Sequence, residues 1–416
     1  MYDRIINFRT DTDLYKLTMG QAVMYKYPWA EAEYKVIFRS PLTLPKGYAQ
    51  ELRRQIDMMA DIGLDGTEKK FLKNCYYLSP AYIDFFEGYR YDPSEVKIVQ
   101  DGNSFEVTAK GLWYRSIYWE TQILPLMVEL FNRMTLGDDY NKFIEAQTNY
   151  IIEQATAKGV GLRDMGALFA EFGTRRRFSY EVQKMVIKVL ADAGGKYLGG
   201  TSNLHFAKMF GLTPIGTQAH EWYSYHAAQY GYRMANRKGL EVWTDVFDGA
   251  LGIALPDTFT TDAFFPAFTG KFAKLFDGWR WDSGCPFTAT DKFYSHYKNV
   301  CHVDPSTKSV IYSNAIDNLD MCRRLMECAS GKFRASLAIG TWFTHDVGQK
   351  LTNPLWQSVC KPKNVVMKMV AAKPYKLPWT KTCKLSDDMG KYTGDPETIK
   401  QCLSAIPRLE LRESTE

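Results

Sequence analysis

The sequence lacks the features that mark several large classes of protein. Its eight cysteines form no Cys-X-X-Cys pair, so a zinc site of paired thiolates is not expected. No run of basic residues resembles a nucleic-acid-binding segment, and the net charge of +5 is modest for 416 residues. Because no stretch reaches about 18 consecutive apolar residues, no membrane span is expected. The first residues carry charges and no apolar core, which argues against a signal peptide and favours a cytoplasmic protein with reduced cysteines.

The chain is long and apolar enough for more than one layer of structure. With 416 residues, of which 45% are hydrophobic, it fits two domains, or one barrel with a second layer. The first third mixes helix and strand signals without strict alternation. It predicts a helix from near Asp13, a strand over 33–39 and a hairpin with its turn at 101–103. We therefore predict an N-terminal α/β domain over 1–140.

From about residue 140 the chain repeats an apolar strand, a polar turn and a helix. Repeats of this kind close into a barrel or stack in a doubly wound sheet. A number of strands near eight favours an irregular, TIM-like α/β barrel over 141–371. The turn-rich residues 372–416 are expected to complete the N-terminal domain or to cover the barrel mouth. The predicted barrel strands are 167–172, 197–198, 212–215, 242–245, 252–255, 279–281, 309–313, 335–339 and 365–370.

The segment 212–225 predicts a strand, a tight polar turn and the start of a helix. In a βα unit, ligands bind at the carboxyl end of the strand. His220 is the only strongly titratable group in this turn, and an imidazole there can take a proton, bind a metal ion or accept a phosphoryl group. Alternatively, it is a helix N-terminal histidine bonded to nearby backbone. Its role depends on whether other strand ends bring complementary groups.

Polar turns that suit an anionic ligand follow three of the predicted strands. Gly173–Arg177 offers backbone donors and guanidinium groups at a helix start, a combination that binds phosphate or carboxylate. Gly199–Asn203 offers a glycine turn with hydroxyl groups, and Gly340–Thr341 follows a strand after which barrels often hold a phosphate. Each turn alone also has a structural explanation, since arginine runs form solvated faces and glycine turns occur in any barrel.

Three carboxylates and one arginine complete the candidate site. Asp257, Asp262 and Asp282 lie at or just beyond strand ends, where they can bind ribose hydroxyls, bind Mg²⁺ or stabilise a cationic sugar. Helix N-capping is the structural alternative. Arg280 stands between two tryptophans within a strand, so it needs an anionic partner, either a substrate carboxylate or a structural aspartate.

Seven motifs in order along the chain resemble the nicotinate phosphoribosyltransferase family. The resemblance extends from residue 10 to about residue 346, and EFGTRRR followed by GTQAHEW is its most specific part. The tail matches more weakly, in KLSDDMGK. The seven motifs are TDLYKLTMGQA, EFGTRRR, GTSN, GTQAHEW, DTFTTD, WDSG and IGTWFTHD.

The resemblance implies a type II phosphoribosyltransferase fold, in which an α/β domain joins an irregular α/β barrel. It implies a head-to-tail homodimer with active sites shared between subunits. The implied reaction joins nicotinate to phosphoribosyl pyrophosphate and gives nicotinate mononucleotide and pyrophosphate, a step of NAD salvage. It also implies coupling to ATP hydrolysis, with Mg²⁺ as a further cofactor.

The resemblance also implies roles for individual residues. ATP phosphorylates His220, and Glu221 or a nearby aspartate is expected to orient its imidazole. Phe172 and the partner subunit's Tyr15 stack on the pyridine ring. The remaining candidates are Arg280 near the nicotinate end, Asp282 at the ribose as a second catalytic residue, and, as further substrate-binding residues, Thr174, Arg175, Thr201, Ser202, Asp257, Gly340 and Thr341. No residue is assigned as a metal ligand.

Two positions depart from the family pattern, and three other functions stay open. Cys285 stands where the family usually has an acid, which removes a possible contact to pyrophosphate and Mg²⁺, and Trp281 can narrow the pocket.

A nicotinamide phosphoribosyltransferase shares the fold, while Cys285 raises the alternative of a silent binding protein. A phosphate-binding barrel such as an aldolase would need a Schiff-base lysine, for which Lys368 is the candidate, although a structural role is the simpler interpretation.

Overall fold

Two β-sheets organise the computed structural model, which describes residues 2–102, 104–348 and 351–406. The strands in these ranges are β1 Glu31–Phe38, β2 Val96–Asp101, β3 Ser104–Leu112, β4 Phe169–Glu171, β5 Leu198–Thr201, β6 Ile253–Ala254, β7 Gly278–Trp281, β8 Ser309–Tyr312, β9 Arg334–Ile339, β10 Val365–Lys373 and β11 Thr380–Lys381.

Helices of very different length connect and cover these strands. In chain order they are α1 Leu14–Lys26, α2 Tyr48–Asp57, α3 Gly66–Lys73, α4 Pro80–Gly88, α5 Trp113–Ser116, α6 Trp119–Leu136, α7 Tyr140–Asp164, α8 Tyr180–Gly194, α9 Leu204–Phe210, α10 His220–Tyr230, α11 Tyr232–Phe247, α12 Thr261–Phe264, α13 Gly270–Leu275, α14 Pro286–Ser295, α15 Leu319–Ala329, α16 Thr341–Thr344, α17 Pro354–Cys360 and α18 Pro396–Ala405. None of these helices combines the length and apolarity that crossing a bilayer requires.

An antiparallel sheet, with strand order β11-β10-β1-β3-β2, brings the two ends of the chain together. The predicted helix near Asp13, the strand over 33–39 and the hairpin are confirmed as α1, β1 and the β2–β3 pair. Asn103, in the predicted turn of that hairpin, lies outside the described residues. β1 buries every second residue, as expected for a strand with one covered face.

The last predicted barrel strand, 365–370, belongs to this antiparallel sheet and not to the barrel. It forms most of β10, which pairs with β1 from Glu31 opposite Lys373 to Phe38 opposite Val365. Burial alternates along β10, whereas a barrel strand covered on both faces is buried more continuously. The chain therefore returns to its N-terminal part at Val365 and not at residue 372. The division into two domains otherwise stays a prediction.

A parallel sheet of six strands, in the order β5-β4-β9-β8-β7-β6, forms the second half of the fold. Every neighbouring pair in it is parallel, and helices connect its strands, which confirms the predicted α/β class. The carboxyl ends of parallel strands meet at one edge of a sheet, and residues that follow them can share a site. The polar turns singled out in the sequence follow β4, β5, β7 and β9.

An irregular segment fills the gap between the edge strands β5 and β6. The Thr201 N–H donates to the Thr213 carbonyl at 3.1 Å, and the Ile215 N–H donates to the Thr201 carbonyl at 2.9 Å. The Thr217 hydroxyl donates to the Ile253 carbonyl at 3.3 Å. The predicted strand 212–215 therefore lies where a barrel strand is expected, but it is not a regular strand, because Pro214 cannot donate to a ladder.

Gly200 permits this close approach. Its φ of +151° is rarely adopted by other residues, and a Cβ atom there would collide with the Thr213 carbonyl oxygen. This glycine of the GTSN motif therefore has a structural role in closing the barrel wall.

The predicted strand 242–245 is wrong, because these residues lie within α11. Ala235, Gly239, Leu240, Trp243 and Phe247 are buried at the spacing of one helix face. The short apolar run that suggested a strand is part of this helical pattern, and the helical period decides the structure.

Helix α1 joins the N-terminal part to the barrel edge. Residues 14–23 of this helix are all buried, so it is covered on every side. At its start, the Leu14 N–H donates to the Ser202 carbonyl at 2.8 Å, and the Leu204 N–H donates to the Thr12 carbonyl at 3.0 Å. These bonds hold the TDLY motif beside the GTSN motif.

Candidate active site

One cavity of about 690 Å³ lies between the antiparallel sheet and the carboxyl ends of the parallel strands. Eight of the twelve predicted catalytic and substrate-binding residues line it. They are Tyr15, Phe172, Arg175, His220, Arg280, Asp282, Gly340 and Thr341. Residues from distant parts of the sequence therefore meet in one place.

Tyr15 lines the same cavity as Phe172 and His220 within a single chain. The resemblance had implied that the partner subunit's Tyr15 completes the site. In the structure α1 is packed against its own barrel and places Tyr15 in the cavity of its own chain, and the contribution from a partner subunit stays a prediction. Both aromatic rings expected to stack on a pyridine are thus supplied by one copy.

His220 is the first residue of α10, and both of its ring nitrogens have polar partners. Nε2 lies 3.0 Å from Oδ2 of Asp282, and Nδ1 lies 3.0 Å from the hydroxyl of Thr258. Oδ1 of Asp257 is 3.9 Å from Nδ1. Burial, together with the positive charge of Lys384, lowers the pKa of His220 to about 4, so the imidazole is neutral at neutral pH. A neutral imidazole has one lone pair available for nucleophilic attack.

Asp282 connects His220 to an arginine. Its Oδ1 accepts hydrogen bonds from the Arg280 guanidinium and from the Ser313 hydroxyl, both at 3.0 Å. Burial opposes ionisation, but Arg280 and His220 hold the pKa of Asp282 well below its usual range. The guanidinium also donates to Ser313 through Nε at 2.7 Å. Of the two partners considered for Arg280, the structure supplies the aspartate.

Asp257 lies directly behind His220 and does not line the cavity. It is 1% exposed, and its Oδ2 accepts hydrogen bonds from the Ser283 hydroxyl at 2.5 Å and from Lys384 at 3.2 Å. Its Oδ1 has no hydrogen-bond partner among the described residues. Asp257 is therefore placed to act on the imidazole and not to contact a ribose directly.

A second cluster of charged side chains surrounds Tyr15. The Tyr15 hydroxyl donates to Glu120 at 3.0 Å, and Lys16, which is fully buried, forms ion pairs with Glu120 and Glu221. Arg175 lies 3.6 Å from Glu120, with its guanidinium carbon 5.7 Å from the centre of the Tyr15 ring. Glu221 is thus held by Lys16. Of the two groups predicted to orient His220, Glu221 or a nearby aspartate, the structure places the aspartates Asp282 and Asp257 beside the ring.

Three predicted substrate-binding hydroxyls are used inside the protein. Thr201 donates to Glu171 at 2.6 Å, and Ser202 donates to Asp13 at 2.7 Å. The Thr174 hydroxyl accepts hydrogen bonds from Gln183 and Asn203 at 3.1 and 3.2 Å. All three are buried and none lines the cavity, so the structure does not bring them to a position of direct substrate contact.

Glycines bring the chain close to itself where β4 and β9 end. A Cβ atom on Gly173 would collide with the Thr344 side chain, and one on Gly340 would lie 3.0 Å from the Phe172 carbonyl oxygen. The Phe172 N–H donates to the Ile339 carbonyl at 2.8 Å. This tight packing sets the backbone position of Phe172 and of the Gly340–Thr341 turn at the cavity wall.

Positions that drew attention in the sequence for other reasons lie outside the cavity. Cys285 is exposed and precedes α14 as its N-cap residue. Asp262 forms an exposed ion pair with Lys292. Trp281 is 5% exposed and packs against Tyr312, so it does not narrow the pocket.

Several cationic residues of the cavity were not predicted to bind substrate. Arg39 was not singled out, and Lys368 was considered only as a Schiff-base or structural lysine. Lys384 lies in the weakly matching KLSDDMGK stretch, and Arg176 was considered only as part of an arginine run. Among the described residues, the side chains of Arg39, Arg176 and Lys368 make no ion pair or hydrogen bond. Because β1 and β10 pair only in the fold, no local motif could have indicated that Arg39 and Lys368 share this cavity.

Comparison with known proteins identifies the family. The sequence model of the nicotinate phosphoribosyltransferase (NAPRTase) family matches residues 167–405, and that of the family's N-terminal domain matches residues 10–128. A nicotinate phosphoribosyltransferase of Chromohalobacter salexigens is 43% identical over 392 residues, covering 94% of this chain and 95% of its own.

Solved structures give the same result. The nicotinate phosphoribosyltransferase of Porphyromonas gingivalis has a TM-score of 0.88 at 39% identity, covering 96% of this chain and 99% of its own. That of Vibrio cholerae has a TM-score of 0.84 at 28% identity, with coverage of 98% and 96%. The similarity in sequence and structure extends over nearly the whole chain.

Proposed function

The chain belongs to the nicotinate phosphoribosyltransferase family, and from this premise we propose that it joins nicotinate to phosphoribosyl pyrophosphate. The products are nicotinate mononucleotide and pyrophosphate, and the reaction serves NAD salvage. The observation that carries the proposal is the convergence in one cavity of two aromatic rings, a His220–Asp282 pair and several cations. This combination suits one planar ring and one highly anionic sugar phosphate.

Each group of the cavity has a part in this reaction. Tyr15 and Phe172 hold the planar pyridine ring between them, because aromatic rings favour stacked contacts. The ring nitrogen attacks the anomeric carbon while the bond from that carbon to pyrophosphate breaks. The ionised Asp282 stabilises the positive charge that develops on the sugar. Arg39, Arg175 and Arg176, together with the Gly340–Thr341 turn, bind the phosphates.

We also propose that ATP is a co-substrate and that His220 accepts its terminal phosphoryl group. Nε2 faces Asp282, whose side chain is 23% exposed, whereas Nδ1 faces the buried Thr258 and Asp257. The accessible nitrogen is therefore Nε2. In the tautomer with its proton on Nδ1, this N–H donates to the Thr258 hydroxyl at 3.0 Å, and the negative charge of Asp257, 3.9 Å away, favours it. The lone pair is then on Nε2, whose attack on the terminal phosphorus of ATP replaces the contact to Asp282 and releases ADP.

Oxygen ligands suited to Mg²⁺ also line the cavity. Asp282, Asn314 and Asp317 offer carboxylate and amide oxygens, the donor type that this ion prefers. When bound, Mg²⁺ would neutralise charge on the pyrophosphate leaving group. The chemistry of the residues therefore fits the ion.

The proposed oligomer needs a separate test, because all eight predicted cavity residues come from one chain. A homodimer stays a prediction that sedimentation can check. If sites are nevertheless shared, mixing inactive Tyr15→Ala and His220→Ala chains restores part of the activity. No recovery in demonstrably mixed dimers would assign both side chains of a working site to one copy.

The deciding experiment measures pyrophosphate release from the purified protein with nicotinate and phosphoribosyl pyrophosphate, with and without ATP. We expect release that depends on nicotinate and is increased by ATP. Nicotinamide replaces nicotinate in a parallel reaction. If the protein turns over nicotinamide and not nicotinate, nicotinamide is the substrate and the proposal is wrong. If it binds nicotinate but releases no pyrophosphate, a silent binding protein is favoured.

A further inference from the structure

Lys368 is a cavity lysine without an assigned role. It lies in the middle of β10, and the sequence suggested either a Schiff-base lysine within a barrel or a structural residue. β10 belongs to the antiparallel sheet, so the barrel interpretation does not apply. Lys368 nevertheless lines the cavity, where its ammonium group can contact a bound ligand.

The other lysines of the cavity, and its arginines Arg175 and Arg280, already have acidic partners. Arg280 binds Asp282, Lys384 binds Asp257, and Lys391 binds Asp388. Lys368 has no such partner among the described residues. A partly buried ammonium group without an anion is unfavourable, so this position is prepared for an anionic ligand.

The surroundings of Lys368 favour the ring end of the cavity. The charged groups that act on it are Glu120, Lys384, Arg175 and Arg39, and Glu120 is the one anion among them. Glu120 accepts the hydrogen bond of Tyr15, and Arg175 lies over the ring of Tyr15. Lys368 is therefore a neighbour of the group that surrounds the proposed pyridine site. The pyridine substrate carries one anionic group, its carboxylate.

We propose that Lys368 binds the carboxylate of the pyridine substrate and sets the preference for the acid over the amide. This inference rests on the proposed function and adds the residue that distinguishes the two substrates. An ammonium group attracts a carboxylate through charge and through N–H donors, whereas a carboxamide offers only a neutral carbonyl. Lys368 thus acts in binding and specificity, and the bond-forming step uses other residues.

The acid–base behaviour of Lys368 supports this assignment. Burial, with the nearby cations, lowers the pKa of Lys368 to about 8 although Glu120 opposes the shift. A bound carboxylate favours the charged ammonium and so raises this pKa. Nicotinate is therefore expected to bind more weakly as the pH rises through about 8, where the free lysine loses its proton.

The test measures equilibrium binding and steady-state kinetics for Lys368→Met and Lys368→Arg. Lys373→Met is the matched control, because Lys373 is on the same strand, pairs with Glu31 and does not line the cavity. Lys368→Met should weaken nicotinate binding by about 10- to 100-fold, the value expected for a lost charged hydrogen bond. Nicotinamide and phosphoribosyl pyrophosphate should bind within about twofold of the parent, and Lys368→Arg should retain most of the nicotinate affinity.

Each other outcome has a distinct meaning. Unchanged nicotinate affinity in Lys368→Met, or a loss confined to phosphoribosyl pyrophosphate, overturns the inference. If the parent binds nicotinate but releases no pyrophosphate, the proposed function fails while the binding comparison still decides the role of Lys368. If Lys368→Met does not fold, the parent and Lys368→Arg decide instead. Loss of nicotinate affinity near pH 8 in the parent, and its absence in the arginine variant, is then required.

Discussion

The two walls of the cavity hold their charges in different ways. On the barrel side, His220, Asp282, Arg280 and Ser313 form a continuous chain of hydrogen bonds of 2.7–3.0 Å. On the side of the antiparallel sheet, Arg39 and Lys368 have no acidic partner among the described residues. Fixed groups suit a reaction that needs one geometry, and unpaired cations suit the capture of an anion. We therefore assign the bond-forming chemistry to the barrel wall, which also contributes Phe172 and the Gly340–Thr341 turn to binding, and we assign anion binding alone to the sheet wall.

The barrel wall should be most sensitive at His220. His220→Asn keeps a polar side chain but has no ring nitrogen that can accept a phosphoryl group. We expect it to lose acid-labile labelling from [γ-³²P]ATP and ATP hydrolysis, while a slow transfer without ATP remains because other elements build the ring and phosphate sites. Labelling and nucleotide formation without ATP are the two measurements.

A control on the same helix separates chemistry from folding. His226 is fully buried on α10, lies outside the cavity and bonds to the Trp222 carbonyl and to Tyr27. His226→Asn should lower stability but leave labelling per folded molecule near the parental level. Parental labelling in His220→Asn would place the phosphohistidine elsewhere, and loss of all transfer would give His220 a direct role at the ribose.

The next largest effect is expected at Arg280. Arg280→Ala removes the guanidinium that orients Asp282 and holds its pKa low. We expect kcat to fall by about 10²-fold, the range seen when one preorganised charged group is removed, with a smaller change in the KM for nicotinate. Steady-state kinetics in both substrates check this. A change in the KM for nicotinate alone would instead make Arg280 the carboxylate-binding residue.

Much of the barrel wall could be predicted from the sequence because its signals are local. The residues Phe172, Arg175 and His220 each follow a strand or extended segment within a few positions, so turn composition and strand ends indicate them together. The short strands were predicted less well. The apolar run 242–245 is too short to show its period, and only the longer pattern of α11 reveals a helix.

The sheet wall could not be predicted for a physical reason. Lys368 reaches the cavity only because β10 pairs with β1, some 330 positions earlier in the chain, and no local pattern reports that pairing. Likewise, the hydroxyls of Thr201 and Ser202 looked available for a ligand. Thr201 meets Glu171 only when β5 pairs with β4, and Ser202 meets Asp13 only when the start of α1 packs against the end of β5.

Substitutions on the sheet wall should change the KM for the anionic substrate and leave kcat nearly constant. Arg39 provides a test of this expectation. Arg39 lines the cavity with an exposed side chain that has no ion pair among the described residues. Arg39→Met should raise the KM for phosphoribosyl pyrophosphate by about threefold to tenfold, because one exposed charged contact is lost, while kcat stays nearly constant.

Ionic strength gives an independent check on Arg39. Added salt screens exposed charges, so the parent should lose affinity for phosphoribosyl pyrophosphate as salt rises, and Arg39→Met should lose less. If kcat falls in Arg39→Met while the KM is unchanged, the two walls do not divide chemistry and binding as the comparison states.

The smallest effect is expected at Cys285, which belongs to neither wall. Cys285 precedes α14 with φ −79° and ψ 119°, the backbone of an N-cap residue, and its side chain makes no capping hydrogen bond among the described residues. An aspartate at this position can accept a hydrogen bond from the first turn and places a negative charge at the helix N-terminus. Cys285→Asp should therefore raise the free energy of unfolding by about 1 kcal/mol or less, measured by urea denaturation.

Because Cys285 does not line the cavity, the same variant should keep the parental dependence of turnover on Mg²⁺ and pyrophosphate. The sequence had suggested that an acid here changes that dependence. Cys285→Ser is the matched comparison, since serine caps a helix without adding charge. Equal stabilisation by serine and aspartate would leave hydrogen bonding as the cause. A changed Mg²⁺ profile in the aspartate variant alone would show that this loop reaches the cavity in the working enzyme.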